Sequence, residues 1–153
     1  MSKETIRVAS LGMGWWSDVL ADGVSRADGI EIVSCFTRSE AKRQAFAQKY
    51  NCVAASSYEE ILADPTIQGI INTTPNNVHL ETTRQAADAG KHIFLDKPIA
   101  NSVGEGMEIA RICRDAGVKL SIGFQRRRES QFRWVHEKVK SGDFGILVQA
   151  EAN

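Results

Sequence analysis

Short apolar runs alternate with helical stretches along this chain, and that alternation constrains the fold more than any other feature. Residues 5–11 (TIRVASL), 30–36 (IEIVSCF), 53–54, 67–73 (IQGIINT), 92–95 (HIFL), 119–124 (KLSIGF) and 146–150 read as strands. Helical stretches at 15–27, 40–50, 78–89 and 129–140 lie between them, the last with Phe132, Val135 and Val139 on one side. Ser57 with Glu60, and Ser102 with Glu105, match the capping box that opens a helix. Gly90 and Gly117 close two of the helices. The strands lack strict polar alternation, as expected when helices cover both sheet faces. Sequential right-handed crossovers of this kind predict an α/β fold, a doubly wound parallel sheet.

The 153 residues suffice for a sizeable core. Lysine plus arginine equals aspartate plus glutamate at 19 each, so the chain lacks the basic excess of a general nucleic-acid binder. Cys35, Cys52 and Cys113 form no C-x-x-C pair, so neither a zinc site nor a disulfide framework is expected. They fit reduced thiols of a cytoplasmic protein. The opening MSKETIRVASLG has no apolar stretch long enough for a signal peptide or membrane span.

The first predicted strand runs into Gly12-Met13-Gly14-Trp15-Trp16-Ser17. Strand, G-x-G and helix together form the context in which the motif binds a dinucleotide. Gly12 permits a tight turn. Gly14 lacks a Cβ, so the backbone can approach a pyrophosphate at the helix N-terminus. Ser17 replaces the third glycine and is one small side chain larger, moving the helix slightly outward while retaining binding. An ordinary βα turn using two glycines is the alternative. Trp15 and Trp16 either pack the first helical turn or cover the cofactor.

After the second strand come Thr37, Arg38 and Ser39, with Lys42 one turn along. A carboxylate here would accept hydrogen bonds from the 2′-hydroxyl of NAD. None is present. A guanidinium and two hydroxyls suit a phosphate instead, favouring NADP over NAD, unless Arg38 is only a solvated charge.

Three further stretches follow predicted strands: Thr73-Thr74-Pro75-Asn76-Asn77-Val78-His79, Asp96-Lys97-Pro98, and Gly123-Phe124-Gln125-Arg126-Arg127. In this order, after a G-x-G loop, the chain closely resembles the glucose-fructose oxidoreductase / inositol dehydrogenase / MocA family along nearly its whole length. The resemblance implies that Gly12 and Gly14 form the phosphate loop. It implies that Thr73, Thr74, Pro75 and Asn76 run along the ribose and nicotinamide. His79 matches a family histidine that either caps the next helix or meets the cofactor. Lys97 matches the lysine of E-K-P, which lies near the nicotinamide and the reacting hydroxyl, and its bond to Pro98 is expected to be cis. Gln125 and Arg127 match G-F-N-x-R, which lines the site.

The resemblance therefore implies an NAD(P)-dependent oxidoreductase acting on a sugar, cyclitol or cyclic diol, with Lys97 catalytic. An ammonium beside the substrate oxygen would stabilise a developing alkoxide. A non-catalytic cofactor sensor on the same fold is the alternative. Four positions depart from the family pattern: Ser17, Asp96 for the usual Glu, and Glu129-Ser130 for Asp-Pro. Asp96 is one methylene shorter and reaches less far. Arg126-Arg127-Arg128 could suit nucleic acid, but Glu129 adjoins it and the net charge is zero. Residues 1–144 are expected to form the dinucleotide-binding domain. Residues 145–153 are expected to open a second α+β domain carrying most substrate contacts, the principal acid–base group and a homo-oligomer interface.

Overall fold

The computed structural model describes residues 5–151. Residues 1–4, part of the stretch read for a leader, and residues 152–153 lie outside it. The described residues form two compact units, divided between Gly123 and Phe124.

The first unit holds six parallel strands: β1 (Ile6–Leu11), β2 (Ile30–Phe36), β3 (Val53–Ala54), β4 (Gly69–Asn72), β5 (His92–Leu95) and β6 (Leu120–Ile122). Their spatial order is β3-β2-β1-β4-β5-β6. The chain builds outward from β1 in one direction, then crosses over to build in the other. The strand order therefore reverses between β1 and β4, where open α/β sheets leave a crevice at the carboxyl ends. Register levels those ends. Leu11 lies beside Phe36 and Asn72, Asn72 beside Leu95, and Leu95 beside Ile122. The following loops thus leave the sheet in one row.

Helices α1 (Trp15–Val24), α2 (Glu40–Tyr50), α3 (Tyr58–Ala63), α4 (His79–Asp88) and α5 (Val103–Asp115) connect the strands. Ser57 Oγ accepts from the Glu60 N–H at 3.1 Å, and Ser102 Oγ from the Glu105 N–H at 3.2 Å, so both predicted caps form. The first box is slipped: the Glu60 carboxylate accepts from the N–H and hydroxyl of Ser56, one residue earlier than the pattern implies. The core is Ala9, Leu11, Ile61, Ile70, Leu95 and Ile109 with their neighbours, and a smaller cluster joins Ala21, Cys35, Phe46 and Ala47. No helix among the described residues is long and apolar enough to cross a membrane.

The second unit contains a 3-10 turn (Gln125–Arg128) and α6 (Ser130–Ser141). Within it Trp134 meets Phe144 edge-on, and Lys138 pairs with Asp143. Residues 146–150, expected as a strand, form none: Ile146 sits in a bend and the rest have no regular structure. A strand needs a ladder partner for its N–H and C=O groups. None of the described sheet strands offers one, and Ile146 and Val148 stay exposed.

Candidate functional site

The row of loops begins at Gly12, whose N–H donates to Phe36 O at 2.9 Å. Its φ is +86°, and a Cβ there would lie 2.9 Å from Thr73 C, Thr73 O and Thr74 N. Glycine is required because another loop presses against it. That loop is tied on by the Thr73 N–H to Leu11 O at 2.8 Å and the Thr73 hydroxyl to Gly12 O at 2.8 Å. Gly14 differs. Its φ of −109° suits any residue, and an added Cβ would meet nothing within 4 Å. It precedes α1, whose N-terminus no side chain caps. Free N–H groups at a helix start attract anions.

Ser17 is fully buried and donates its hydroxyl to Gly14 O at 2.6 Å, so the larger side chain is satisfied locally. Trp15 is 77% exposed beside the loop. Trp16 is half-buried, its ring 5.5 Å from that of Trp15, with no hydrogen-bond partner for its buried Nε1 among the described residues. A cavity of about 340 Å³ opens here, lined by Met13, Gly14, Trp15, Asp18, Lys42 and Lys49. Hydrogen bonds from Lys49 at 2.9 Å and from Tyr50 hold the Asp18 carboxyl below its ordinary range. Burial, with the nearby Asp22 and Asp18, pushes the Tyr50 phenol up to about 12.

At the end of β2, Arg38 and Ser39 are exposed and Thr37 is half-buried. Arg43 was not anticipated. From the second turn of α2 it donates Nη1 to Thr37 O at 3.0 Å, with its guanidinium 5.5 Å above the Phe36 ring. Its Nε is buried without a partner among the described residues. The available signal was its spacing, one turn beyond the Ser39 N-cap, which returns a long side chain to the loop.

At the end of β4, the buried Asn72 organises the T-T-P-N loop. Its Oδ1 accepts from the Thr74 N–H at 3.1 Å and hydroxyl at 2.7 Å, and its Nδ2 donates to Thr82 Oγ1 at 2.8 Å. Asn72 too was missed, although an amide ending an apolar run is a visible anomaly. Pro75 is exposed and Asn76 half-buried on the rim. His79 is fully buried, with Nε2 2.9 Å from Thr74 O and Nδ1 3.3 Å from Ile99 O. Both ring nitrogens face backbone carbonyls, so His79 braces the T-T-P-N loop against the segment after Pro98.

The β5 loop joins the same group through the Asp96 N–H, which donates to Asn72 O at 2.9 Å. Asp96 Oδ1 accepts from the backbone N–H of Lys97 at 2.8 Å, the short reach of an aspartate turned onto its own loop. The Lys97–Pro98 bond is cis, and Lys97 is exposed. The structure thus gathers the loops bearing Gly12, Thr73, Thr74, His79, Asp96 and Lys97 along one sheet edge. Gln125 and Arg127 lie in the second unit, both exposed.

Comparison with known proteins agrees with this geometry. The chain is 28% identical over 142 residues to 4-carboxy-2-hydroxymuconate-6-semialdehyde dehydrogenase of Sphingobium sp. SYK-6, covering 92% of this chain and 45% of that protein. It is 31% identical over 147 residues to D-xylose 1-dehydrogenase (NADP(+)) 2 of Haloferax volcanii, covering 95% and 44%. Among solved structures, the WlbA dehydrogenase of Bordetella pertussis, in complex with NADH and UDP-GlcNAcA, superposes with a TM-score of 0.89 at 25% identity, covering 95% and 42%. The chain spans less than half the length of these relatives. The family described as "Oxidoreductase family, NAD-binding Rossmann fold" matches residues 6–124. With that match, the strand order and the glycine loop at the switch point, the chain belongs to the glucose-fructose oxidoreductase / inositol dehydrogenase / MocA oxidoreductase family.

Proposed function

We propose that this chain binds NADP(H) in preference to NAD(H), as the nucleotide-binding part of a dehydrogenase acting on a hydroxyl-bearing carbon of a sugar, cyclitol or cyclic diol. One observation carries the reading: Gly14, free of any packing demand, faces open space at the uncapped start of α1. A pyrophosphate there would be held by the backbone of Gly12–Trp16, the ribose and nicotinamide along Thr73–Asn76, with Asp96 on the rim. The bound nicotinamide supplies a hydride acceptor or donor. Lys97, exposed at the same edge, holds an ammonium able to stabilise negative charge developing on the substrate oxygen.

The preference for NADP is supported by the absence of a carboxylate at 37–39 and by two guanidiniums, Arg38 and Arg43, around that loop. In this reading residues 145–153 open a second domain. Substrate choice, the principal acid–base group and homo-oligomer contacts are assigned to sequence outside these 153 residues.

Trp15 beside Gly14 is a built-in reporter. Titration of tryptophan fluorescence is expected to give NADPH at least about tenfold tighter binding than NADH, and Arg38→Ala to remove most of that difference, because charge-assisted contacts of about 1.5–3 kcal/mol are at stake. Equal or weaker NADPH binding rejects the preference. Where turnover is followed, Lys97→Met should lower kcat by about a hundredfold or more while nucleotide affinity survives. An unchanged kcat removes Lys97 from the mechanism.

A further inference from the structure

The second unit concentrates positive charge in one groove. Arg126, Arg127, Arg128, Arg133 and His136 line a groove of about 690 Å³, shared with Phe132 and a single carboxylate, Glu137. Among the described residues none of the four guanidiniums is ion-paired, whereas Arg84 and Arg111 in the first unit both hold Glu108. The neighbouring Glu129 accepts from Gln131 Nε2 at 2.7 Å.

Two of the cations are held by rings. The Arg126 guanidinium lies 5.5 Å from the Phe132 centroid, and that of Arg127 lies 5.5 Å from the Phe124 centroid. A guanidinium resting on a ring keeps the N–H donors in its own plane available, and that fork matches the two oxygens of a carboxylate or two oxygens of a phosphate. Like charges gathered in one groove repel, and an anion relieves the repulsion. The chain as a whole is neutral, so the cluster is not part of a generally basic surface.

We propose that this groove is a binding site for a small polyanion: a molecule bearing two or more carboxylates, or a phosphate ester. The family resemblance speaks only to Gln125 and Arg127. The inference stands on Arg126, Arg128, Arg133 and His136, and is independent of the dinucleotide reading. Nucleic acid would need a basic surface tracking a backbone, which a neutral chain with one concave cluster does not offer.

The test uses the purified 153-residue chain, titrated separately with citrate and with inorganic phosphate while the arginine Nε–Hε resonances are followed by NMR. Saturable binding of either probe is expected, with Kd below about 1 mM. Arg128→Gln with Arg133→Gln should weaken it at least about tenfold, with circular dichroism and NADPH titration unchanged, since two charge-assisted contacts are lost. Arg128→Lys with Arg133→Lys should also weaken it, because charge survives but the fork is lost. Tighter citrate identifies a polycarboxylate ligand, and tighter phosphate identifies a phosphate ester. The proposal is overturned if sodium chloride at matched ionic strength reproduces the shifts. Binding unaffected by the glutamine pair, or duplex DNA outcompeting both probes, overturns it as well. A failed NADPH titration alongside citrate binding would count against the dinucleotide reading alone.

Discussion

Gly12 and Gly14 stand two residues apart and answer to different demands. Gly12 combines a left-handed backbone with a neighbouring main chain 2.9 Å from where its Cβ would be. Gly12→Ala is therefore expected to destabilise the fold by about 2–4 kcal/mol, from backbone strain plus displacement of the Thr73 segment. Gly14→Ala meets no protein atom, and should cost less than about 1 kcal/mol as a poorer N-cap. Its cost should instead fall on nucleotide binding. Urea denaturation and fluorescence titration of the two variants separate the effects. A Gly14→Ala variant that unfolds as readily as Gly12→Ala would contradict this division. The glycine pattern and the tight turn at Gly12 were legible in sequence, but the second constraint on Gly12 was not. Its constraint comes from Thr73, brought alongside only by β1–β4 pairing.

At the scale of elements, strand and helix periods placed every strand and α-helix of the first unit, because burial on one or both faces is a local pattern, but α1 ends at Val24 rather than 27 and 146–150 form no strand. β2, α2 and β5 have the expected ends, while β4 and β6 are shorter than their apolar runs. Contacts between elements were not legible. The guanidiniums of Arg84 on α4 and Arg111 on α5 both hold Glu108 on α5, linking two helices. Hydrogen bonds from Arg111 and then Arg84 hold its carboxyl down to about 2. An unfolded glutamate titrates near about 4.3, so the link is fully present above that pH and lost as pH falls toward about 2. Glu108→Gln should flatten the fall in urea midpoint between about pH 4.3 and about pH 2, relative to the parent. An acid limb of unchanged slope would show that the cluster contributes nothing to stability.

At the scale of the whole molecule, the two units differ in how they are held. The first has a core of fully buried side chains from strands and helices, among them Ala9, Leu95 and Ile109. The second has no buried residue on α6: Phe132, Val135 and Val139, predicted to share one side, are 41%, 46% and 43% exposed. Backbone amides of α6 should therefore exchange with solvent at least about a hundredfold faster than those of β1 and β4, because local opening of an unburied helix costs little. Hydrogen exchange with mass spectrometry checks this directly. Equal protection would mean α6 is held by contacts not apparent within its own unit.

The sequence by itself determined the order and kind of the elements, the helix caps and the placing of chemically distinctive residues at strand ends. Each depends on neighbours a few positions away. Tertiary structure decided which strand ends stand together, why Gly12 tolerates no side chain, and that His79 and Asn72 brace loops. It also turned Arg43 back onto Thr37. Those outcomes depend on register between strands far apart in the chain, and hydrophobic periodicity carries no record of which strand lies beside which.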